Sequence, residues 1–345
     1  MIRVTIVGLG AIGRSCARAV LAESGMELVG AVDTDPAQVG RGLASLLESQ
    51  DEGFGASTDL EVTGDLGSAL ANTDVAVVTT RSDLSSVAPI LCEAIAKKVA
   101  VVSSCEQMSW PWYAHPDLAR QLDAEAREAG CALLGTGVNP GFVMDTLAVV
   151  LASVARRVTR VRCVRRIDAS VRRAALQEKL GIGLEPEAFR ERLERGDIGH
   201  VGLPESIALT AAGLGHQVAP GEVELTLEPV LAEEPTPWAG GQLKPGRVAG
   251  VHHLARWAHR GLKIEMDLTM AAGVRKPLDK ICIQGPVPLC LKIDGAVPGD
   301  SATVAVLLNH IPRVRSAPPG LRTMLDIPPS GCCNHDRAQA ATSNS

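Results

Sequence analysis

The chain begins with an apolar run, Ile2 to Val7, that leads directly into the motif Gly8-Leu9-Gly10-Ala11-Ile12-Gly13. This order predicts a β-strand, a G-x-G-x-x-G turn and the start of a helix, as in a dinucleotide-binding βαβ unit. The first glycine permits a tight turn, the second admits a pyrophosphate close to the backbone, and the third lets helix and strand pack closely. We therefore expect Gly8, Gly10, Ala11, Ile12 and Gly13 to bind the pyrophosphate of NAD or NADP.

A carboxylate follows the second predicted strand. The run Met26 to Val32 ends at Asp33, twenty residues after Gly13, where such units place an acidic residue on the adenosine ribose. A carboxylate at this position repels a 2′-phosphate, which slightly favours NAD, although the nearby Arg41 leaves NADP open. The alternative interpretation of Asp33 is an ordinary capping residue of a turn.

The next hundred residues alternate between apolar strands and amphipathic helices. The predicted elements are a strand over Val75–Thr80, a helix over Leu84–Lys97, a strand over Val99–Ser103, a helix over Leu118–Ala129 and a strand over Cys131–Gly135. Repeated β–α alternation predicts an α/β fold with a Rossmann-like parallel sheet. Ligands of such sheets bind at the carboxyl ends of the strands.

The pattern changes after Asn139-Pro140-Gly141, which predicts a second, α+β domain with a largely antiparallel sheet. Its predicted strands are Val158–Arg166, Glu222–Leu231, Arg247–Trp257, Leu262–Met270, Asp279–Gln284 and Leu289–Ile293. We expect an NAD(P)-binding domain over residues 1–138 and a substrate and dimerisation domain over 139–300. A C-terminal helix and segment over 301–329 would return to the first domain, and 330–345 would be a disordered tail.

Composition excludes several classes of protein. The net charge is −5 and no basic patch is interleaved with aromatics, so we expect no nucleic-acid partner. No apolar stretch reaches the roughly 18 residues that span a membrane, and no signal peptide is evident. Nine scattered cysteines predict a reduced, cytoplasmic protein, with Cys131, Cys163, Cys282 and Cys290 as buried hydrophobes. We expect no metal site, because Cys332, Cys333 and His335 lack zinc spacing.

Polar residues follow three of the predicted parallel strands. The candidates for cofactor binding at these strand ends are Thr79, Thr80, Arg81, Ser104, Cys105, Asn139 and Gly141. Glu106 is the candidate catalytic residue, since a carboxylate there would lie beside the nicotinamide. The alternative interpretation makes Glu106 a loop or capping residue and the aromatics that follow it a hydrophobic plug.

Longer motifs carry a resemblance to a known family. Cys105-Glu106 with Trp110-Pro111-Trp112, then the run Gly135-Thr-Gly-Val-Asn-Pro-Gly141 and the ending Asn309-His-Ile-Pro312, resemble the 2,4-diaminopentanoate dehydrogenases and the native amine dehydrogenases. The resemblance extends to about Pro329. The first domain is also similar to dihydrodipicolinate reductase and diaminopimelate dehydrogenase.

The resemblance implies NAD(P)-dependent oxidative deamination of a primary amine and the reverse reductive amination of a ketone or aldehyde with ammonia. It implies Glu106 as the catalytic residue, and Asn309 as a helix residue that folds back on the cofactor. It also implies a homodimer. The candidate pocket residues are Phe142, Met144, Leu176, Leu180, His200 and Leu203.

Three questions stay open from the sequence. The substrate is either a simple amine or an amino acid such as 2,4-diaminopentanoate. A cofactor-binding sensor without turnover is a third possibility, which the position of Glu106 disfavours. The basic cluster Arg165, Arg166, Arg172 and Arg173 either pairs with a substrate carboxylate or forms a solvated or subunit-facing surface.

Overall fold

The computed structural model describes residues 1–48, 58–329 and 331–332. Its contacts divide the chain into two compact units. Unit 1 comprises Met1–Phe142 and Pro298–Ser345, and unit 2 comprises Val143–Val297. The predicted disordered tail lies outside the described residues, apart from residues 331 and 332.

Unit 1 is built on a six-stranded parallel sheet with the order β14-β5-β4-β3-β1-β2. Its strands are β1 (Ile2–Val7), β2 (Met26–Val32), β3 (Val75–Val78), β4 (Ala100–Ser103), β5 (Ala132–Gly135) and β14 (Gly320–Arg322). All residues of β3, β4 and β5 are buried, which explains their continuous apolar sequences. The strand order reverses between β1 and β3, the point at which parallel sheets bind ligands.

Two sets of helices pack against this sheet. The helices of unit 1 are α1 (Ala11–Ala22), α2 (Leu43–Glu48), α3 (Leu66–Leu70), α4 (Leu84–Ala96), α5 (Pro111–Ala114), α6 (Pro116–Ala129) and α11 (Gly299–Ser316), with a 3₁₀ helix over Glu106–Ser109. Helices α4 and α6 share one apolar core with alternate sheet residues such as Ala76 and Val101. Helices α1 and α11 pack on each other. Helix α1 also packs against β1, β2 and β3, and α11 against β3, β4 and β5.

Unit 2 contains a second six-stranded sheet with the order β13-β12-β6-β11-β10-β7. Its elements are α7 (Thr146–Ala152), β6 (Arg160–Asp168), α8 (Ala174–Lys179), α9 (Pro186–Glu194), α10 (Leu203–Gly213), β7 (Glu224–Leu231), the hairpin β8 (Thr236–Trp238) and β9 (Gly241–Leu243), β10 (Val248–His259), β11 (Leu262–Ala271), β12 (Leu278–Gln284) and β13 (Leu289–Asp294). Strands β6 and β11 are parallel, and the other described pairs of this sheet are antiparallel. The predicted fold class, a Rossmann-like sheet plus a largely antiparallel α+β domain, is confirmed.

The two faces of the unit 2 sheet differ in burial. Along β11 the residues Leu262, Ile264, Met266 and Leu268 are buried, whereas the residues between them are more exposed. Helix α10 packs against β10 and β11. We call the buried side of this sheet the inner face and the other side the outer face. Alternation of side chains along a strand produces this division.

One prediction about the cysteines was wrong. Cys282 and Cys290 face each other across β12 and β13, with 4.2 Å between their Cα atoms, and form a disulfide. Both lie on the outer face, where Cys290 is exposed, because the apolar neighbours of Cys282 take the inward positions. Cys131 and Cys163 are buried free thiols, as predicted.

Candidate active site

The strands of unit 1 end in register at one edge of the sheet. Pairing aligns Val32, Val7, Val78, Ser103 and Gly135, the last residues of five neighbouring strands. Neighbouring strands lie about 4.8 Å apart. The next residue of each strand therefore falls on one line along this carboxyl edge, in the order Asp33, Gly8, Thr79, Ser104 and Thr136.

The glycine turn has no room for side chains at two of its three glycines. Gly8 has a φ of +92°, which favours glycine, and a Cβ on Gly13 would lie 1.8 Å from the Gly8 carbonyl oxygen. A Cβ on Gly10, in contrast, would meet no atom within 4 Å. Helix α1 begins at Ala11 without a side-chain cap, so its positive dipole end is suited to a phosphate. This turn fits the pyrophosphate of a dinucleotide.

Asp33 is hydrogen-bonded to the glycine turn. Its Oδ2 accepts from the Leu9 N–H at 2.6 Å, and its Oδ1 accepts from the Asp35 N–H at 2.9 Å. The N–H of Ala37 and the side chain of Gln38 lower the pKa of Asp35. Two carboxylates thus stand together beside the turn, where a dinucleotide places its ribose.

A residue that the sequence did not single out braces the same turn. Arg14, one position after Gly13, donates from Nε to the Leu9 carbonyl at 2.9 Å and from Nη2 to Gln38 at 3.1 Å. Its signal in the sequence is only its position in the first turn of α1. The exposed Arg41 lies within the segment that follows Asp33.

The end of β3 contacts the first glycine directly. The Thr79 hydroxyl donates to the Gly8 carbonyl at 2.8 Å, and its N–H donates to Val7 at 2.8 Å. The methyl group of Thr80 lies where a Cβ on Gly8 would come within 2.8 Å. The structure therefore brings Thr79 and Thr80 together with the glycine turn, and Arg81 follows as an exposed residue.

Glu106 opens the 3₁₀ helix that follows β4, and it is half-buried. The adjacent Gln107 fixes the local backbone, because its N–H donates to the Ser82 carbonyl at 3.2 Å and its Oε1 accepts from the Leu84 N–H at 2.8 Å. The sequence did not identify Gln107, whose amide links the 3₁₀ helix to the start of α4. Glu106 is thereby held close to the carboxyl edge.

The residues around Glu106 have mainly packing roles. Cys105 is buried, its thiol contacts the Ser82 carbonyl at 3.2 Å, and burial raises its pKa to about 12. Any contact of Cys105 with a cofactor would therefore use its backbone. The N–H of Ser104 is donated to Val78 at 3.0 Å. Trp110 and Trp112 meet edge-to-face at 5.3 Å, and Trp112 packs against the unit 1 core, which agrees with a hydrophobic plug.

The loop after β5 combines tight geometry with unpaired polar atoms. The Asn139–Pro140 peptide is cis, and Gly141 has a φ of +120° with no space for a Cβ beside Gly137. Thr136 Oγ1 and Asn139 Oδ1 are buried and have no hydrogen-bond partner in the structure. Buried polar atoms are normally paired, so these two are suited to a polar ligand such as a carboxamide.

Helix α11 packs beside this loop. The hydroxyl of Thr303 accepts from the Val138 N–H at 3.3 Å, a contact that the sequence did not predict. Asn309 is half-buried in the middle of α11. It lies in the interior of the helix, which extends to Ser316.

The predicted pocket residues fall mostly in unit 2. Met144, Leu180 and Leu203 are buried, and Leu176 and His200 are half-buried. Phe142 is half-buried and is the last residue of the first segment of unit 1. The structure thus separates Phe142 from the other five by unit.

A buried glutamine that the sequence did not identify fixes the segment around Leu176 and Leu180. Gln177 Nε2 donates to the carbonyls of Ala169, Ser170 and Arg172, each at 2.9 Å. Its Oε1 accepts from the Ala239 N–H at 3.2 Å.

The arginine cluster does not form one site. Arg165 is 1% exposed and donates from Nη1 to both carboxylate oxygens of Asp279 at 2.6 Å and from Nη2 to the Val297 carbonyl at 2.7 Å. Both sequence-based interpretations of Arg165 are therefore wrong, since its partner is a carboxylate of the protein's own core. Arg166 is exposed on the outer face, because adjacent strand residues point to opposite sides.

Two kinds of feature are absent from the part of the chain that the structure describes. Within residues 1–48, 58–329 and 331–332, no group of three or more His, Cys, Asp or Glu residues is arranged to hold a metal ion. In the same part of the chain, no helix is both long and apolar enough to cross a bilayer.

Comparison with known proteins gives concordant results for both units. A family model described as the 2,4-diaminopentanoate dehydrogenase C-terminal domain matches residues 142–343, and one described as the N-terminus of dihydrodipicolinate reductase matches residues 2–105. The chain is 31% identical over 339 residues to 2,4-diaminopentanoate dehydrogenase of Acetoanaerobium sticklandii, which covers 95% of this chain and 93% of that protein.

Two amine dehydrogenases are also similar. The solved structure of amine dehydrogenase from Mycobacterium smegmatis superposes with a TM-score of 0.82 and 26% identity, over 94% of this chain and 95% of that one. An amine dehydrogenase of Streptomyces virginiae is 30% identical over 179 residues, which is 49% of this chain and 47% of that protein.

Proposed function

This chain belongs to the 2,4-diaminopentanoate dehydrogenase family, and from that premise we propose that it deaminates a primary amine oxidatively with NAD(P) and catalyses the reverse reductive amination. The protein is an oxidoreductase of the class that acts on CH–NH₂. The observation that carries the proposal is the carboxyl edge of unit 1. There the glycine turn, Glu106 and the loop Thr136–Gly141 follow strands β1, β4 and β5 of one sheet, with β3 between β1 and β4.

The residues at this edge are suited to hold the cofactor. Gly8, Gly10 and the N-terminus of α1 would bind the pyrophosphate, and Asp33 the adenosine ribose. The unpaired Thr136 Oγ1 and Asn139 Oδ1 support a site for the carboxamide at the nicotinamide end of the cofactor. When bound, NAD(P) supplies the hydride chemistry, and the protein supplies position and charge.

Glu106 would act on the nitrogen of the substrate. Its carboxylate would bind the substrate ammonium group, accept a proton to leave the neutral amine and pass that proton to water. The carboxylate, charged again, would then stabilise the positive charge that develops on the C=N group. In the direction of amination it would bind ammonium and return protons as the carbonyl oxygen leaves as water. The backbone contacts around Gln107 keep this carboxylate in position.

We propose NAD as the preferred cofactor. Asp33 and Asp35 place two carboxylates beside the glycine turn, and hydrogen bonds lower the pKa of Asp35, so both would repel a 2′-phosphate. Arg41 is exposed and offers the main local compensation for NADP. Because the reaction draws NAD(P) from the surrounding solution, we also propose a cytoplasmic location.

We also propose a homodimer formed through the outer face of the unit 2 sheet. This face presents complementary charges, with Arg162 contacting Glu265 at 2.7 Å and Asp267 at 3.0 Å. A shallow groove of about 860 Å³ lies on it between Arg166 and Glu228. A broad, charged and self-complementary face is suited to a second copy of the same chain.

The amino-acid alternative has one specific observation in its favour. The relative that matches nearly the whole chain is named for 2,4-diaminopentanoate, which carries a second amino group and a carboxylate. The main proposal is that the substrate is a primary amine without these two groups, because two further relatives are named amine dehydrogenases.

Glu106→Gln tests the proposal, because the amide keeps the size of the side chain and removes its charge and proton affinity. We expect kcat for amine oxidation to fall by roughly 10²- to 10⁴-fold, the range of general acid–base catalysis, with unchanged NADH binding. NADH formation and consumption would be followed with a panel of amines, and with ketones plus ammonia. Glu125→Gln, on α6, is the matched control. Wild-type rates in Glu106→Gln would refute the mechanism.

A further inference from the structure

One arginine of unit 1 links the glycine turn to the loop that follows β2. Arg14 donates from Nε to the Leu9 carbonyl at 2.9 Å and from Nη2 to Gln38 Oε1 at 3.1 Å. Its two partners lie five and 24 positions away, so the side chain joins segments that are distant in sequence. A guanidinium that is held at two of its nitrogens has a fixed plane.

The same two segments are joined a second time through Asp33. Its Oδ2 accepts from the Leu9 N–H at 2.6 Å, and its Oδ1 accepts from the Asp35 N–H at 2.9 Å. Asp35 Oδ2 in turn accepts from Gln38 Nε2 at 3.2 Å. Together with the two bonds of Arg14, these contacts close a ring of hydrogen bonds, which we call the five-residue ring. Breaking any one of its links opens it.

The bond from Arg14 to Leu9 also orients the peptide between Leu9 and Gly10. In a trans peptide the C=O and N–H groups point in opposite directions, so a held Leu9 carbonyl directs the Gly10 N–H away from Arg14. None of the described residues accepts a hydrogen bond from this N–H. The turn is open at Gly10, where a Cβ would meet no atom within 4 Å. An unpaired N–H beside open space is suited to an anionic oxygen.

The charge of Arg14 has a smaller influence on its surroundings than its hydrogen bonds. The N–H of Ala37 and then the side chain of Gln38 lower the pKa of Asp35 most, and the charge of Arg14 adds a smaller effect. Asp35 is exposed, so solvent screens its attraction to the guanidinium. Arg14 therefore contributes chiefly the position of its two donors.

We propose that Arg14 is a positioning residue for the cofactor, which closes the five-residue ring and thereby fixes the Asp33 carboxylate and the Gly10 N–H. This inference rests on the proposed function, whose cofactor site it deepens. Asp33 would accept from the adenosine ribose, and the Gly10 N–H would donate to a pyrophosphate oxygen. The ring thus sets the affinity for the adenosine diphosphate half of NAD(P), because a site that is already ordered loses less entropy on binding.

Three substitutions separate position from charge. Gln38→Met keeps the size of the side chain and the net charge, and removes both side-chain contacts of Gln38. Arg14→Lys keeps the charge, but its single nitrogen does not replace both Nε and Nη2. Arg14→Met removes the contacts and the charge together. Arg120→Met, on the exposed surface of α6, is the matched control.

The probes are NADH, titrated by its fluorescence, and ADP-ribose, which lacks the nicotinamide and is titrated by calorimetry. We expect each of the three variants to raise the Kd of both probes by roughly 10-fold, the effect of about one hydrogen bond. The double variant Arg14→Met/Gln38→Met should bind no more weakly than either single variant, because the ring is already open. The control should bind both probes as the wild type does. The Tm of each free variant shows whether its fold is retained.

The outcomes distinguish this inference from the function on which it rests. If only Arg14→Met weakens binding, charge and not position is responsible, and the role of the ring is refuted. Additive effects in the double variant, or a lower Tm with an unchanged Kd, would refute it as well, and the proposed function would stand. If the wild type binds both probes but oxidises no primary amine, the proposed function fails, and the Kd values still decide the role of Arg14. Three separate variants keep the test decisive where one of them does not fold.

Discussion

The two sheets of this protein place their polar residues in different ways. In unit 1, strands β3, β4 and β5 are buried along their whole length, and the candidate site residues follow them at one edge. In unit 2, polar residues alternate with apolar ones inside the strands, so that each face has its own character. A site at strand ends is fixed by topology, whereas a site on a face depends on strand register.

Arg165 and Arg166 illustrate this dependence on register. They are adjacent in β6, yet one is paired with Asp279 in the core and the other is exposed on the outer face. The same alternation separates His252, which contacts Asp267 at 3.0 Å on the outer face, from the buried His253. Neighbouring residues of one type thus have unrelated roles in unit 2.

The largest expected effect concerns Arg165 and Asp279, the polar pair on the inner face, and tests whether their contact stabilises the fold. Arg165→Met leaves the Asp279 carboxylate buried without its partner, which typically costs about 3 to 5 kcal/mol in the free energy of unfolding. Urea unfolding monitored by circular dichroism would measure the change. Arg166→Met is the control, with an expected change within about 0.5 kcal/mol. The double variant Arg165→Met/Asp279→Leu should recover most of the loss, and a single variant as stable as the wild type would contradict the pairing.

The second prediction concerns the pH dependence of stability, which tests whether His253 is buried as a neutral ring on the inner face. Burial, together with the charge of His252, lowers the pKa of His253 to about 4, against about 6.5 in an unfolded chain. Between these values the unfolded chain binds a proton that the folded chain does not. The free energy of unfolding should therefore fall as the pH drops from about 6.5 to about 4, by up to about 3 kcal/mol from this group. His253→Asn should show a shallower slope in urea unfolding over that range, and an identical slope would contradict burial of the neutral ring.

The smallest effect tests the strand-end site of unit 1. Asp33→Asn keeps the shape of the side chain and removes the charge that we propose repels a 2′-phosphate. The preference for NADH over NADPH should fall by about 10-fold, which corresponds to about 1.4 kcal/mol. Fluorescence titration with each cofactor measures it. Asp117→Asn, exposed on α6, should leave the preference unchanged. If Asp33→Asn weakens the binding of NADH and NADPH equally, Asp33 acts only by stabilising the glycine turn.

Much of unit 1 could be predicted from sequence because its signals are local. The apolar runs before Gly8 and Asp33 predict the strands, and the spacing of the glycines predicts the turn. Neither prediction requires knowing which strands pair. In unit 2 the local sequence likewise predicted strands at the positions of β10 and β11. The disulfide between Cys282 and Cys290 escaped prediction, because the hairpin register that makes them neighbours is not local.

Other contacts depend on tertiary structure for the same reason. The pairing of Arg165 with Asp279 joins residues 114 positions apart. The hydroxyl of Thr303 reaches the loop after β5 over 165 positions. Gln177 resembles any polar residue of a short helix until its four backbone partners are seen. The roles of Glu106 and the other candidate site residues stay predictions.

The return of the C-terminal segment to the unit 1 sheet has a consequence for biosynthesis. Strand β14 pairs with β5, and the Leu321 N–H donates to Asp123 across 198 positions of sequence. Unit 2 is continuous in sequence, whereas the edge of the first sheet cannot form until β14, which follows unit 2, has been translated. Long-range parallel pairing is also slow to form. We therefore expect the first sheet, although five of its strands precede unit 2 in the sequence, to reach its final structure after unit 2.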